Sequence, residues 1–315
     1  MSAANKNSSE RFADAVPETF DAPEVLPRSE EEAAQWQKAN RSFWESNPMR
    51  YDWKEGIAAE EGSEEFYAEI DRRFFENVRP YMPWSKIPFD NLVDFEQLGN
   101  KAVLEIGVGM GSHAGLLSAH AGSYTGIDLT AYAVGVTTRR MEVFNRRAVI
   151  RRMDAEALDF PDQSFDFVWS WGVIHHSSNT RKILEEMRRV LKPGGKAVIM
   201  VYNRGWWNYY ICGGLIGGLR KGRIFRAQAL SRTVQEDTDG ALARYYSRRS
   251  WREFASPLLQ VDEVVIKGAR TDLFPIPASA FKTALMRALP EAIARFMTSQ
   301  LGMGGMLVSR MSRPQ

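Results

Sequence analysis

The stretch Glu105-Ile106-Gly107-Val108-Gly109-Met110-Gly111 closes an apolar run and opens a helical one. Glycines at the end of a strand let the backbone turn tightly and approach a ligand, and the next helix offers its N-terminal N–H groups to negative charge. A dinucleotide fingerprint G-x-G-x-x-G would need Gly or Ala at position 112, where Ser112 stands. The pattern is instead an acidic residue two places before three alternating glycines; a purely structural turn is the alternative role. Asp128 ends the second apolar run, 23 residues after Glu105. A carboxylate there can accept both ribose hydroxyls of an adenosine group, a need shared by nicotinamide and S-adenosyl cofactors. Asp154, after the third run, can accept from an adenine amino group or simply be solvated.

A second group of residues suits an acceptor. Trp169-Ser170-Trp171-Gly172-Val173-Ile174-His175-His176 leaves the fourth apolar run. His175 or His176 can serve as general base, since free imidazole titrates near pH ~6.5, or one of them can order the loop. A zinc site has little support, because only His113 and His120 remain and both follow the glycine loop on one helix. After the fifth run, Tyr202, Arg204, Trp206 and Trp207 mix aromatic and polar groups as a mostly apolar pocket would, or as a packed lid would. Residues 211–226 combine an apolar run with Arg220, Lys221, Arg223 and Arg226. That segment can touch an anionic membrane surface or a lipid-like acceptor, or be a solvated basic face.

These residues need a scaffold that brings loop ends together. Apolar runs at 102–106, 124–127, 148–152, 165–170 and 197–201 read as strands, with helices at 112–121, 132–144 and 180–191 between them. Such alternation implies crossover connections and a doubly wound sheet, with ligands at the carboxyl ends of its strands. Upstream, 30–55 reads as a helix broken at Asn47-Pro48. Phe66, Ile70, Phe74 and Val78 mark one face of a helix opened by Ser63. Downstream, 202–250 reads as a helical insert softened by Gly213, Gly214, Gly217 and Gly218. A helix at 250–256, a strand at 261–266, a helix at 279–298 and a last strand at 304–311 follow.

The 315 residues carry 41 Lys+Arg against 39 Asp+Glu, with 44% hydrophobic residues. This is the balance of a globular chain of one large or two ordinary domains, with no global charge to draw nucleic acid. The neutrality averages over segregated ends. Residues 1–70 hold 7 basic and 16 acidic side chains, net −9, while 201–255 hold 10 and 4, net +6. Cys212, the single cysteine, allows no disulfide, cysteine-rich zinc site or paired-thiol redox chemistry. Residues 1–30 have no apolar core for a signal peptide and read as a flexible tail. A soluble, cytoplasmic protein is the expectation.

From about 101 to 201 the sequence resembles class I S-adenosylmethionine-dependent methyltransferases, particularly the broad type that includes ubiquinone and menaquinone C-methyltransferases. LEIGVGMG, GID, MDAEALDFPDQSFDFVWS, GVIHH and EEMRRVLKPGG stand in the family's order and approximate spacing. The resemblance implies that Glu105 and residues 107–111, including Gly107, Gly109 and Gly111, surround the methionine moiety. It places Asp128 on the ribose and Asp154 and Ala155 on the adenine. It puts Trp171, with His175 and His176, toward the acceptor, and makes residues 43–53, FWESNPMRYDW, a cap over the cleft, with an ordinary amphipathic packing arm as the alternative. The implied cofactor is S-adenosyl-L-methionine and the implied reaction is methyl transfer to a small-molecule acceptor through O, S or C. S-methylation of a small thiol or sulfide is one candidate.

Several subtypes of that family are excluded by residues. The segment lacks the Asp/Asn-Pro-Pro-aromatic motif of amino-methylating nucleic-acid enzymes, and Trp171 stands where catechol-type enzymes keep an acidic metal ligand. One cysteine excludes arsenite chemistry, and no metal is expected. A nicotinamide-dependent oxidoreductase and a non-catalytic S-adenosylmethionine-binding protein are the rival readings. The expected fold is α/β: a Rossmann-like, doubly wound, mostly parallel seven-stranded sheet with an N-terminal helical cap and a helical insert after the fifth strand. Its divisions would be a tail at 1–30, a cap at 31–90, a cofactor-binding core at 91–202, an insert at 203–250 and completion of the sheet at 251–315.

Overall fold

Each short apolar run that closes on a glycine or a polar residue becomes a strand of one sheet. The computed structural model describes residues 16–52, 55–223, 229–277 and 279–315. β1 (Ala102–Ile106), β2 (Ser123–Asp128), β3 (Val149–Arg152), β4 (Phe165–Trp171) and β5 (Leu191–Asn203) lie parallel in the order 3-2-1-4-5. β8 (Met306–Ser312) pairs antiparallel with both β5 and β7 (Gln260–Lys267). The order reverses between β1 and β4, so the loops leaving these two strands diverge and open a crevice at the strands' carboxyl ends.

Two details depart from expectation. The sheet has eight strands rather than seven, because Tyr245–Tyr246 (β6) pairs with Tyr202 and Asn203 at the end of β5. β5 is also longer than 197–201, because Leu191 already pairs with Phe165 before a register shift absorbs the turn at 192–195.

Helices cover both faces. α1 (Glu30–Ser46) starts where Ser29 accepts from the Glu32 N–H, carries three glutamates in its positive first turn, and stops before Pro48. α2 (Glu64–Val78) is capped by Ser63 and buries Phe66, Ile70, Phe74 and Val78. α3 (Ser112–Ser118) and α4 (Ala131–Val143) follow β1 and β2. α5 (Thr180–Val190) packs Ile183, Leu184, Met187 and Val190 into the main core, each contributing about 1.5–3 kcal/mol on full burial.

The insert begins as a π-helix (Trp206–Ile216) that runs into α6 (Gly217–Arg220), followed by α7 (Leu230–Gln235). Its glycines provide close approach rather than softness: a Cβ on Gly214 would stand 2.6 Å from Leu230. α8 (Arg248–Ala255) buries Trp251, whose indole donates to Ser309 at 3.0 Å. The single helix expected at 279–298 is two, α9 (Ala280–Ala288) and α10 (Glu291–Arg295), because Pro290 lacks the N–H needed to continue, and a π-helical turn (Phe296–Gln300) follows.

The expected flexible tail is corrected over 16–29. Val16 and Phe20 are buried against Trp36 and Leu242, Ser231 donates to the Asp21 carbonyl and Arg244 to that of Val25. The alternation of Val and Phe with Pro and polar residues hid two anchors in a stretch with no periodicity. Residues 1–15 of that tail, together with Trp53 of the cap segment and Arg226 of the basic cluster, lie outside the described residues.

Candidate active site

The glycine loop leaves β1 with positive φ at Gly107 and Gly111. A Cβ at Gly107 would lie 2.3 Å from Val173, so this position must be glycine for the loops after β1 and β4 to meet. The Gly109 N–H donates to Asp128 Oδ2 at 3.2 Å, and Thr130 donates to Oδ1 through both its N–H and its hydroxyl. Those bonds fix the carboxylate and leave lone pairs for a diol. The loop and Asp128 line a cavity of about 470 Å³.

Glu105 is not on the cavity wall. Its side chain is fully buried, accepts from the Tyr124 hydroxyl at 2.6 Å and lies 3.9 Å from His113 Nδ1. Burial pushes its carboxyl up to about 8. Between the ordinary value of 4.5 and about 8, the folded chain keeps a proton that the unfolded chain has released, so stability falls as pH rises. His113, pushed down to about 3 by burial, acts in the opposite sense, but it is neutral in both states above its ordinary 6.5. The Tm of the ligand-free protein is therefore expected to fall between about pH 6.5 and 8, with a flatter slope in Glu105→Gln. An equal slope in the variant would assign the proton elsewhere.

Asp154 and Ala155 line the cavity, but Asp154 is already engaged: Gln37 of α1 donates to both of its oxygens at 2.8 and 2.9 Å. Gln37 Oε1 in turn accepts from the Ser178 N–H at 3.1 Å and from Asn40. α1 is thus tied across the crevice from the β3 loop to the β4 loop, and Trp44, Pro48, Met49 and Tyr51 from its far end line the same cavity.

The two histidines part company. His176 lines the cavity, and its Nδ1 donates to the Leu242 carbonyl at 2.6 Å, which leaves Nε2 as the unprotonated nitrogen of a neutral ring. Burial lowers its pKa, while the Asp239 carboxylate and the Leu242 carbonyl act the other way. Asp239, also on the wall, accepts from the Tyr202 hydroxyl at 2.8 Å. Gly240 has a positive φ, and a Cβ there would meet the His176 ring at 2.5 Å, so both the backbone and the space require glycine. His175 is fully buried off the wall, its ring 4.0 Å from that of Tyr202, and burial holds it well below the usual histidine range.

Of the residues expected from the sequence, Gly107, Gly109, Asp128, Asp154, Ala155, Trp171, His176 and Tyr202 share this cavity. Gly111 caps α3 just behind it. Three of the expected acceptor residues do not reach it. Arg204 pairs with Glu24 at 3.0 Å, Trp206 is half exposed and donates to the Leu301 carbonyl, and Trp207 donates to the Asp272 carbonyl. The π-helix that starts at Trp206 carries both indoles toward 270–303 instead. Asp239, Gln37 and Asn40 were missed, whereas Trp44 belongs to the 43–53 segment expected over the cleft. The signals available were an Asp-Gly turn at 239–240 and the helical spacing of 37, 40 and 44.

Residues 104–199 match the family described as Methyltransferase domain. The segment is a class I S-adenosylmethionine-dependent methyltransferase domain, and S-adenosyl-L-methionine is its cofactor. Over 123 residues the chain is 32% identical to phosphoethanolamine N-methyltransferase 2 of Caenorhabditis elegans, covering 37% of this chain and 28% of that protein. It is 40% identical over 100 residues to the phthiotriol/phenolphthiotriol dimycocerosates methyltransferase of Mycobacterium tuberculosis, covering 31% and 36%. It is 36% identical over 100 residues to the phosphatidylethanolamine N-methyltransferase of Cereibacter sphaeroides, covering 31% and 49%. The chain thus spans less than half the length of these curated relatives. The fold is shared with the geranyl diphosphate C-methyltransferase of Streptomyces coelicolor A3(2), at TM-score 0.51 and 14% identity over 88% of this chain and 98% of that one.

The site fits this cofactor on its own chemistry. Asp128 offers a fixed acceptor pair for a ribose, nothing stands within 4 Å of where a Cβ on Gly109 would be, and the buried Ser112 Oγ on the cavity wall lacks a hydrogen-bond partner.

Proposed function

We propose that the protein methylates an apolar or lipid-like small molecule through a hydroxyl or amino group, with S-adenosyl-L-methionine as donor and His176 as the base. The observation that carries this is the acceptor half of the cavity. Trp44, Met49, Tyr81, Trp171, Met200 and Met306 make it apolar, and His176, Asp239 and Tyr202 form one polar cluster in it. No lysine or arginine lines the cavity among the described residues, which disfavours an acceptor whose phosphate must enter it. That separates the proposal from phosphoethanolamine and from phosphatidylethanolamine, whose amine lies two carbons from a phosphate, and brings it nearer to the phthiotriol-named relative.

The bound cofactor supplies an already activated sulfonium methyl. The chain's part is to hold the acceptor atom in line with the methyl, exclude water through α1, and take the acceptor's proton at His176 Nε2. A thiol or sulfide, partly ionised at neutral pH, would gain little from such a base, so the cluster favours oxygen or nitrogen over the S-methylation candidate.

The test is release of S-adenosylhomocysteine across matched long-chain alcohols, amines, phenols and thiols. Turnover of thiols alone would overturn the acceptor reading. Turnover of none, with normal cofactor binding, would favour a non-catalytic binding protein. In calorimetry, Asp128→Ala is expected to weaken S-adenosylhomocysteine binding by about 1–3 kcal/mol, roughly 5- to 150-fold, through loss of the buried acceptor pair. Binding of NAD in place of S-adenosylhomocysteine by the wild type would point to the oxidoreductase.

A further inference from the structure

The π-helix and α6 have two unlike faces. Trp206, Tyr210, Leu215 and Leu219 are all exposed, at spacings of 4, 5 and 4 residues, which is one row along a helix closed by i→i+5 hydrogen bonds. The opposite row, Tyr209, Gly214 and Gly218, is buried. Beside Trp206, whose indole donates to the Leu301 carbonyl, the row continues into a second segment that exposes Leu301, Phe296, Ile293 and Phe281. Phe281 is 70% exposed, and α9, which carries it, buries none of its residues.

The charges on these two segments have one sign. Arg220, Arg287 and Arg295 are exposed, Lys221 is paired with Asp237, residues 206–223 contain no acid, and Glu291, the one acid of 280–301, is paired with Arg270. We infer that this face docks the protein on an anionic lipid bilayer, with the Trp206–Leu219 row and Phe281 in the interfacial layer and the three arginines on the headgroups. Aromatic and aliphatic side chains on a helix rimmed by arginine and lysine match that boundary, where indole and phenol rings keep a polar end wet. A second copy of the chain fits worse, because a two-fold contact would set each copy's cations against the other's. No helix among the described residues is long and apolar enough to cross a membrane, so the contact is peripheral. The inference does not depend on the reading of the acceptor.

Co-sedimentation of the full chain with phosphatidylglycerol/phosphatidylcholine vesicles tests it. Binding is expected to the mixed vesicles, with weak binding to phosphatidylcholine alone and loss at high salt. Arg220→Gln/Arg287→Gln/Arg295→Gln should weaken binding to the anionic vesicles by roughly 100-fold, and Leu215→Glu/Leu219→Glu should abolish it, both with unchanged S-adenosylhomocysteine affinity. Brominated lipids should quench a fraction of the wild-type tryptophan emission that Trp206→Phe removes. Absence of binding by the wild type overturns the inference. So does a dimer, seen by light scattering, that Leu215→Glu/Leu219→Glu dissociates.

Discussion

Arg244→Ala is expected to cost the protein at least about 3 kcal/mol of stability, read as a lower urea midpoint, and to make residues 16–29 sensitive to proteolysis. Arg244 is fully buried, yet no carboxylate lies in ion-pair contact with it among the described residues. Its guanidinium is held by carbonyl oxygens instead: Nε donates to Val25 at 2.7 Å, one terminal nitrogen to Ser177 and the other to Ser178 at 2.6 Å. Its carbon stands 5.4 Å from the Phe20 ring and 5.8 Å from that of Trp36, so aromatic faces supply part of the missing negative potential.

Removing that side chain leaves three carbonyls without a donor, each costing about 1–3 kcal/mol when buried. The loss falls on two elements together, the N-terminal strap and the loop that carries His176. Arg244→Lys should recover little, since one ammonium cannot reproduce the planar fork that reaches three carbonyls in different directions. A urea midpoint for Arg244→Ala within error of the wild type would show that the strap is held by its hydrophobic anchors alone.

The same residue shows why part of this molecule was legible in its sequence and part was not. The cofactor half is local. Each of its residues follows the end of a parallel strand by a few positions, so the glycine loop, Asp128 and Asp154–Ala155 can be placed once the strands are recognised. The acceptor half is assembled from residues far apart in the chain. His176 meets the Leu242 carbonyl across 66 positions and Tyr202 meets Asp239 across 37, while Arg244, which holds the His176 loop in place, reaches Val25 across 219. Nothing in the local pattern around 239–244 announces that partnership.

Aromatic density misled at Trp206 and Trp207, because a run of large side chains after β5 suits a pocket and a packed lid equally well; the π-helix carries Trp206 to the Leu301 carbonyl and packs Trp207 against Leu273 and Met303. The paired histidines were legible as a pair but not as individuals. In the short 3-10 turn Ile174–His176, adjacent side chains leave in different directions, and only one of them reaches the cavity.

That separation makes His176 the position with the largest expected effect on turnover. His176→Gln should lower kcat by about 10²- to 10⁴-fold on a hydroxyl or amine acceptor, with the affinity for S-adenosylhomocysteine unchanged. The pH profile gives the sign. Because burial lowers the His176 pKa from 6.5, the ring is neutral and able to take a proton throughout the neutral range, so kcat should be level above about pH 6.5 and fall only in acid. Asp239 raises that pKa by its charge, so Asp239→Asn should move the acid limb to still lower pH. His175→Gln should act differently. With its ring buried against Tyr202 and off the cavity wall, it should lower stability and leave the pH at which the limb falls where it is. A kcat within threefold of wild type in His176→Gln, on an acceptor that is protonated at the assay pH, would remove the base and leave the ring as a brace for the Leu242 carbonyl.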